Sequence, residues 1–112
     1  MNNRKVLLYT TDIIDGYKII ENHGMVKGNT IRARNIGADI GAIIKSLFGG
    51  EISEYTKMIA QSREQALDRM CAEALEKGAN AVIGLRFSTA MIMQGTAEIL
   101  AYGTAVTIEQ ST

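Results

Sequence analysis

The spacing of hydrophobic and polar residues predicts one long helix followed by two strands in the second half of the chain. Apolar residues recur every three or four positions between residues 51 and 77, which is the period of an amphipathic helix. Near-continuous apolar runs at residues 79–89 and 97–108 predict strands, the first of them buried on both faces. Gly78 separates the helix from these strands, and we expect it just after the last helical turn, where glycine adopts a left-handed backbone without strain.

The first third of the chain predicts short strands. Residues 6–10 form an apolar run followed by turn-forming residues, which is typical of a short strand. Residues 17–22 and 25–34 predict two further strands. A hairpin is expected to join them, either near His23-Gly24 or near residues 27–29.

A change of period marks a second, shorter helix in the middle of the chain. Apolar residues of segment 36–48 fall on one helical stripe, and small residues occupy the opposite side. Gly49 and Gly50 are expected to end this helix. Further on, residues 90–95 are expected to form the loop between the last two strands.

Composition favours a small domain that associates with itself. The chain has 112 residues, no proline and 46% hydrophobic residues, which is a high apolar content for so small a core. Self-association is the simplest way to cover the excess. We therefore expect residues 1–112 to form a single domain.

Charge and cysteine content exclude several classes of protein. Twelve basic residues balance twelve acidic ones, so we expect neither a nucleic-acid partner nor an anionic membrane partner. Cys71 is the only cysteine, so no intrachain disulfide forms and no closed zinc site is predicted. The apolar run at residues 6–8 is too short for a signal peptide or a membrane span, and we expect a cytoplasmic protein.

Several short motifs occur in an order that points to a known family. They are Gly28-Asn29-Thr30-Ile31, Arg34-Asn35-Ile36, Gly49-Gly50, Tyr55, Arg63, Ala66, the run Gly-Ala-Asn-Ala-Val-Ile-Gly at 78–84, and Gly103-Thr104-Ala105-Val106. With these motifs the chain resembles the YbjQ-like family, also called UPF0145, over residues 13–108. The resemblance implies an α+β, dodecin-like subunit with an antiparallel sheet, one long helix and one short helix. It further implies a homopentameric ring in which strands of neighbouring subunits help to close the structure, and it brings a heavy-metal-binding label.

Sulfur and imidazole side chains are the candidate metal ligands. Cys71 is the softest donor and suits an ion such as Cu(I), but it lies on the apolar stripe of the long helix, where packing in the core is the alternative. Met91 and Met93 are two residues apart, so in an extended segment they would share one face as a pair of thioethers. His23 is expected on a turn, with Glu21 on the same strand face.

Three hypotheses about function follow. The first is a non-enzymatic, cytoplasmic homo-oligomer that serves as a binding or scaffold module for an unassigned ligand. The second is a carrier or sensor of a soft metal ion. The third is an enzyme whose site forms between subunits from residues distant in sequence, such as His23, Glu51, Tyr55 and Arg63; no catalytic triad or carboxylate pair favours it, and we assign no catalytic residue.

Overall fold

A four-stranded sheet with one helix across it makes up the described part of the protein. The computed structural model describes residues 5–33, 53–93 and 95–112, without the side chains of residues 33 and 53–58. In chain order the elements are β1 (Leu7–Leu8), β2 (Tyr17–Ala33), α1 (Ser53–Glu76), β3 (Ala81–Met93) and β4 (Thr96–Gln110). The strand order is β1-β3-β4-β2, and α1 packs mainly on β2 and β4. The predicted α+β class is confirmed, whereas the helix predicted at 36–48 and its glycine stop lie outside the described residues.

The first strand pairs differently from the prediction. Leu7 lies opposite Ala81 and Leu8 opposite Val82, and the two strands run parallel. The sheet is therefore mixed and not wholly antiparallel. A parallel pair needs a long crossover connection, and here the chain passes through β2 and α1 before β3 begins.

A single long strand replaces the hairpin predicted in the first third of the chain. β2 pairs antiparallel with β4 from Tyr17 to Ala33, so a turn near His23-Gly24 or near residues 27–29 is wrong. The turn-like residues at 22–24 form a bulge, in which Gly24 has a φ of +87°. Gly28 lies inside the strand. Glycine is required there because α1 crosses so close that any Cβ atom would overlap the helix backbone.

The long helix and its glycine stop agree closely with the prediction. α1 begins at Ser53 and ends at Glu76, and Gly78 after it has a φ of +86°. The predicted apolar stripe is buried at most of its positions, namely Ala66, Leu67, Met70, Cys71 and Ala74. Leu75, the last position of the predicted stripe, is exposed. The described helix is not long and apolar enough to cross a bilayer.

Only the first part of β3 is buried on both faces as predicted. Val82 and Leu85 pack under α1, whereas Ala81 and Ile83 face the other side, where Ile14 covers them. A bulge at Gly84 lies between Val82 and Leu85, and it explains why these two residues, three apart, share one face. From Arg86 onward every described side chain of β3 is exposed, including Phe87, which was expected in the core.

The last two strands are longer than predicted. β3 continues to Met93 and β4 begins at Thr96, so residues 90–93 belong to the hairpin and not to a loop. Fifteen residues of β4 span about 50 Å at the usual rise per strand residue. The hairpin therefore extends well beyond the part of the sheet that is buried on both faces.

Candidate functional site

Cys71 lies in the core between α1 and the sheet. It is 4% exposed, and the neighbouring Met70 is fully buried. A thiol in such surroundings packs as a small hydrophobic side chain. An ion could reach its sulfur only by opening the contact between the helix and the sheet.

His23 connects three elements at the end of α1. It lies in β2, at the second bulge, and its side chain is 12% exposed. Its Nε2 is 2.7 Å from Thr107 Oγ1, and that hydroxyl donates to the carbonyl oxygen of Gly78 at 3.2 Å. When the hydroxyl donates to Gly78, the tautomer of His23 with hydrogen on Nε2 donates to Thr107 Oγ1. Glu21 Oε1 lies 3.8 Å from the same nitrogen.

This chain of hydrogen bonds is expected to stabilise the fold. Thr107→Val removes the hydroxyl that lies between His23 and Gly78, so the partly buried imidazole nitrogen and the exposed carbonyl oxygen of Gly78 both lose this partner. We expect a loss of about 1 to 2 kcal/mol in the free energy of unfolding, measured by urea denaturation. Thr104→Val on the same strand is the matched control, and an equal effect of both changes would contradict the role of the Thr107 hydroxyl.

Met91 and Met93 point to opposite faces of the sheet. Met91 lies opposite Ala97, whereas Met93 lies opposite Thr96, because a register shift falls between them. Ala97 and Thr96 are adjacent and point to opposite faces of the sheet, so the two thioethers do as well. Both methionines are 63% exposed near the tip of the hairpin. In a regular strand Met91 and Met93 would share one face, as predicted. The bulge between them makes this prediction wrong.

The candidate ligands lie at three separate places within one subunit. His23 lies beside Thr107 and Met91 beside Ala97, which are ten residues or about 33 Å apart along β4. Cys71 is enclosed in the core at a third location. Among the described residues no group of three histidine, cysteine, aspartate or glutamate side chains could hold an ion. A soft metal ion needs donors that converge on one point, and these residues do not.

The residues of the enzyme hypothesis are also dispersed within the described part of the chain. Arg63 lies on α1 fifteen residues before Gly78, or about 22 Å along the helix from the end that His23 touches. Glu51 and the side chain of Tyr55 lie outside the described residues. Within one subunit His23 and Arg63 are therefore too far apart to act in the same site.

The most distinctive exposed feature is the outer edge of β3 from Phe87 to Met93, called here the open edge. β1 covers β3 only at Ala81 and Val82, and no other described strand lies on that side. Large apolar side chains of β3 are exposed along it: Phe87, Met91, Ile92 and Met93. Sequence reasoning missed this site, although the excess of apolar residues in the composition was its signal.

The register shows which backbone groups the open edge presents. Leu85 donates its N–H to Tyr9, away from β4. Residues alternate in an antiparallel strand, so Phe87, Thr89 and Met91 direct their N–H and C=O groups outward. Within residues 5–33, 53–93 and 95–112 no strand pairs with these outward groups, and together with the exposed apolar side chains they form a template for another strand.

Comparison with known proteins gives one family and one fold. A family model described as "Putative heavy-metal-binding" matches residues 6–109. A UPF0145 protein from Dehalococcoides mccartyi strain BAV1 is 55% identical over 104 residues, which cover 93% of this chain and 100% of the relative. A UPF0145 protein from Pyrococcus horikoshii is 50% identical over 105 residues, covering 94% and 90%.

A solved structure supports the same fold at lower similarity. It is the crystal structure of a protein of unknown function from Pediococcus pentosaceus, assigned to the DUF74 family. The two chains superpose with a TM-score of 0.65 at 18% identity, over 93% of this chain and 98% of the other. This likeness shows the architecture of the chain.

Proposed function

The chain belongs to the YbjQ-like family, also called UPF0145, and from this premise we propose that it is a non-enzymatic, cytoplasmic binding or scaffold module assembled as a homopentameric ring. The observation that carries the proposal is the open edge of β3. Its outward backbone groups and its exposed apolar side chains need a partner, and another subunit supplies a surface of matching chemistry.

Cyclic assembly suits an edge of this kind. One subunit offers the open edge, and a different surface of its neighbour receives it, so the contact is head-to-tail. Such a contact closes into a ring when the rotation per subunit divides a full turn. The number five comes from the family resemblance, which also implies that strands of adjacent subunits complete the structure.

The family is described as heavy-metal-binding, but the candidate ligands lie apart from one another within one subunit. Cys71 is in the core, His23 is bonded to Thr107, and the two methionines point to opposite faces. These four side chains do not converge on one point within a subunit, and the proposed module does not depend on a metal ion.

A native mass spectrum of the untagged protein tests this proposal. A pentamer of the 12.2 kDa chain is expected near 61 kDa, which is about five chain masses. Extra mass that survives gentle activation would identify a bound ligand, and the spectrum of the denatured protein gives the mass of the bare chain as a control. A monomer at micromolar concentration would contradict the ring.

A further inference from the structure

Charged side chains on one face of α1 lie along the free edge of β2. This edge faces away from β4, and no described strand pairs with it. The set, called here the edge clasp, consists of Arg69, Glu73 and Lys77, the last directly after the helix. Its bonds run from Arg69 Nη1 to Asn29 O at 2.6 Å, from Lys27 N to Glu73 Oε1 at 3.3 Å, and from Lys77 Nζ to Met25 O at 3.3 Å.

The charge of each side chain matches the backbone group that it meets. The two cations donate to carbonyl oxygens, and the carboxylate accepts from an amide N–H. A neighbouring strand would offer the same sequence of donors and acceptors to this edge. The side chains of the clasp therefore bind the backbone groups of β2 to which a further strand would otherwise bond.

The spacing of the helix keeps the clasp in step with the strand. Clasp residues are four apart and rise about 6.0 Å per step along a helix, whereas outward-facing strand residues are two apart and rise about 6.8 Å. The helix and the strand run in opposite directions, so residues 69, 73 and 77 meet residues 29, 27 and 25 in turn. A match over three successive contacts makes the clasp a continuous feature of the edge.

An unprotected edge of this length would pair with another copy. β2 is 17 residues long, and exposed Met25 and Ile31 lie on it. Two identical edges can join antiparallel about a two-fold axis. We propose that the edge clasp blocks this pairing and keeps the β2 edges of two copies apart. All contacts of the clasp lie within one subunit, so the proposed effect does not depend on what the open edge of β3 binds.

Removing all three clasp side chains should double the assembly. The Arg69→Ala/Glu73→Ala/Lys77→Ala variant is expected to show, by native mass spectrometry and light scattering, at least a twofold higher mass than the parent, increasing with concentration. Arg63→Ala/Glu76→Ala removes two exposed charges of α1 that lie outside the edge clasp, and it should keep the parent mass. Arg69→Lys/Glu73→Gln/Lys77→Arg retains a donor or an acceptor at each position and should also keep it. A folded triple-alanine variant with the parent mass would overturn the proposal.

Hydrogen exchange gives a second test that needs only a single change. In Glu73→Ala the amide of Lys27 loses its acceptor, so its exchange should accelerate about tenfold, as expected for one lost hydrogen bond. The amide of Val26, which points toward β4, should be unaffected. Unchanged exchange at Lys27 would overturn the clasp even if the triple variant failed to fold. A monomeric parent would contradict the ring but leave this test intact.

Discussion

Gly28→Ala is expected to lower the free energy of unfolding by about 3 kcal/mol, the upper end of the usual effect of overpacking. A Cβ atom at this position would overlap the carbonyl oxygen of Ala66 and the amide nitrogen of Met70. Both are backbone atoms of α1 and cannot rotate away as a side chain could. The helix would have to lift from β2, and the packing of Met70 against the sheet would weaken.

Urea denaturation followed by circular dichroism measures this effect, with Gly24→Ala as the comparison. Gly24 also lies in β2, but no atom lies within 4 Å of the added methyl group. Its φ of +87° is the only source of strain, which amounts to about 1 to 2 kcal/mol for a residue with a Cβ atom. An effect at Gly28 no larger than that at Gly24 would contradict the close approach of helix and strand.

Thr89→Pro is expected to dissociate the assembly and leave the subunit folded. The N–H of Thr89 points away from β4, so proline there removes a donor of the open edge without breaking the ladder between β3 and β4. The proline ring also fills the space that a neighbouring strand would occupy. If the open edge carries the contact, the mass in a native spectrum should fall from that of the ring to that of smaller species.

Thr89→Val is the matched control for this variant. It has the same shape as threonine and keeps the N–H, so the ring should persist. Far-ultraviolet circular dichroism shows whether the proline variant retains its helix and sheet. A folded proline variant with the parent mass would mean that the open edge of β3 does not hold the subunits together.

The sequence predicted those elements whose signals are local. The helix could be located because its apolar stripe and Gly78 lie within one continuous segment, and burial of Cys71 follows from its place on that stripe. The final two strands were predicted for the same reason. The end of β3 was predicted too early. Residues 90–93 were assigned to the loop although they contain no turn-forming residue, and in the structure they are an exposed part of the strand.

The errors in β2 have a common physical origin. Glycine at positive φ serves both turns and bulges, and the sequence at His23-Gly24 does not distinguish the two. Gly28 is required by the passage of α1, a contact between residues about forty positions apart. The bulge at Gly24 can be recognised only once the partner strand is known, and the need for glycine at position 28 only once the path of the helix is known.

The candidate site was less predictable than the fold because it depends on neighbours. Met91 and Met93 would share a face in a regular strand, and a bulge visible only in the register separates them. The open edge of β3 exists because β1 is only two residues long and leaves the rest of β3 uncovered. Composition indicated unsatisfied apolar surface, but the strand order was needed to locate it.

The strand order also determines when the protein can fold during synthesis. β2 is made early, yet its partner in the sheet is β4, so that Tyr17 lies opposite Gln110 near the other end of the chain. Translation delivers residues from the amino terminus, and contacts of such long sequence separation form slowly because a large loop must close first. The nascent chain therefore carries β2 unpaired until β4 has left the ribosome, and the sheet is completed only after this last strand has emerged.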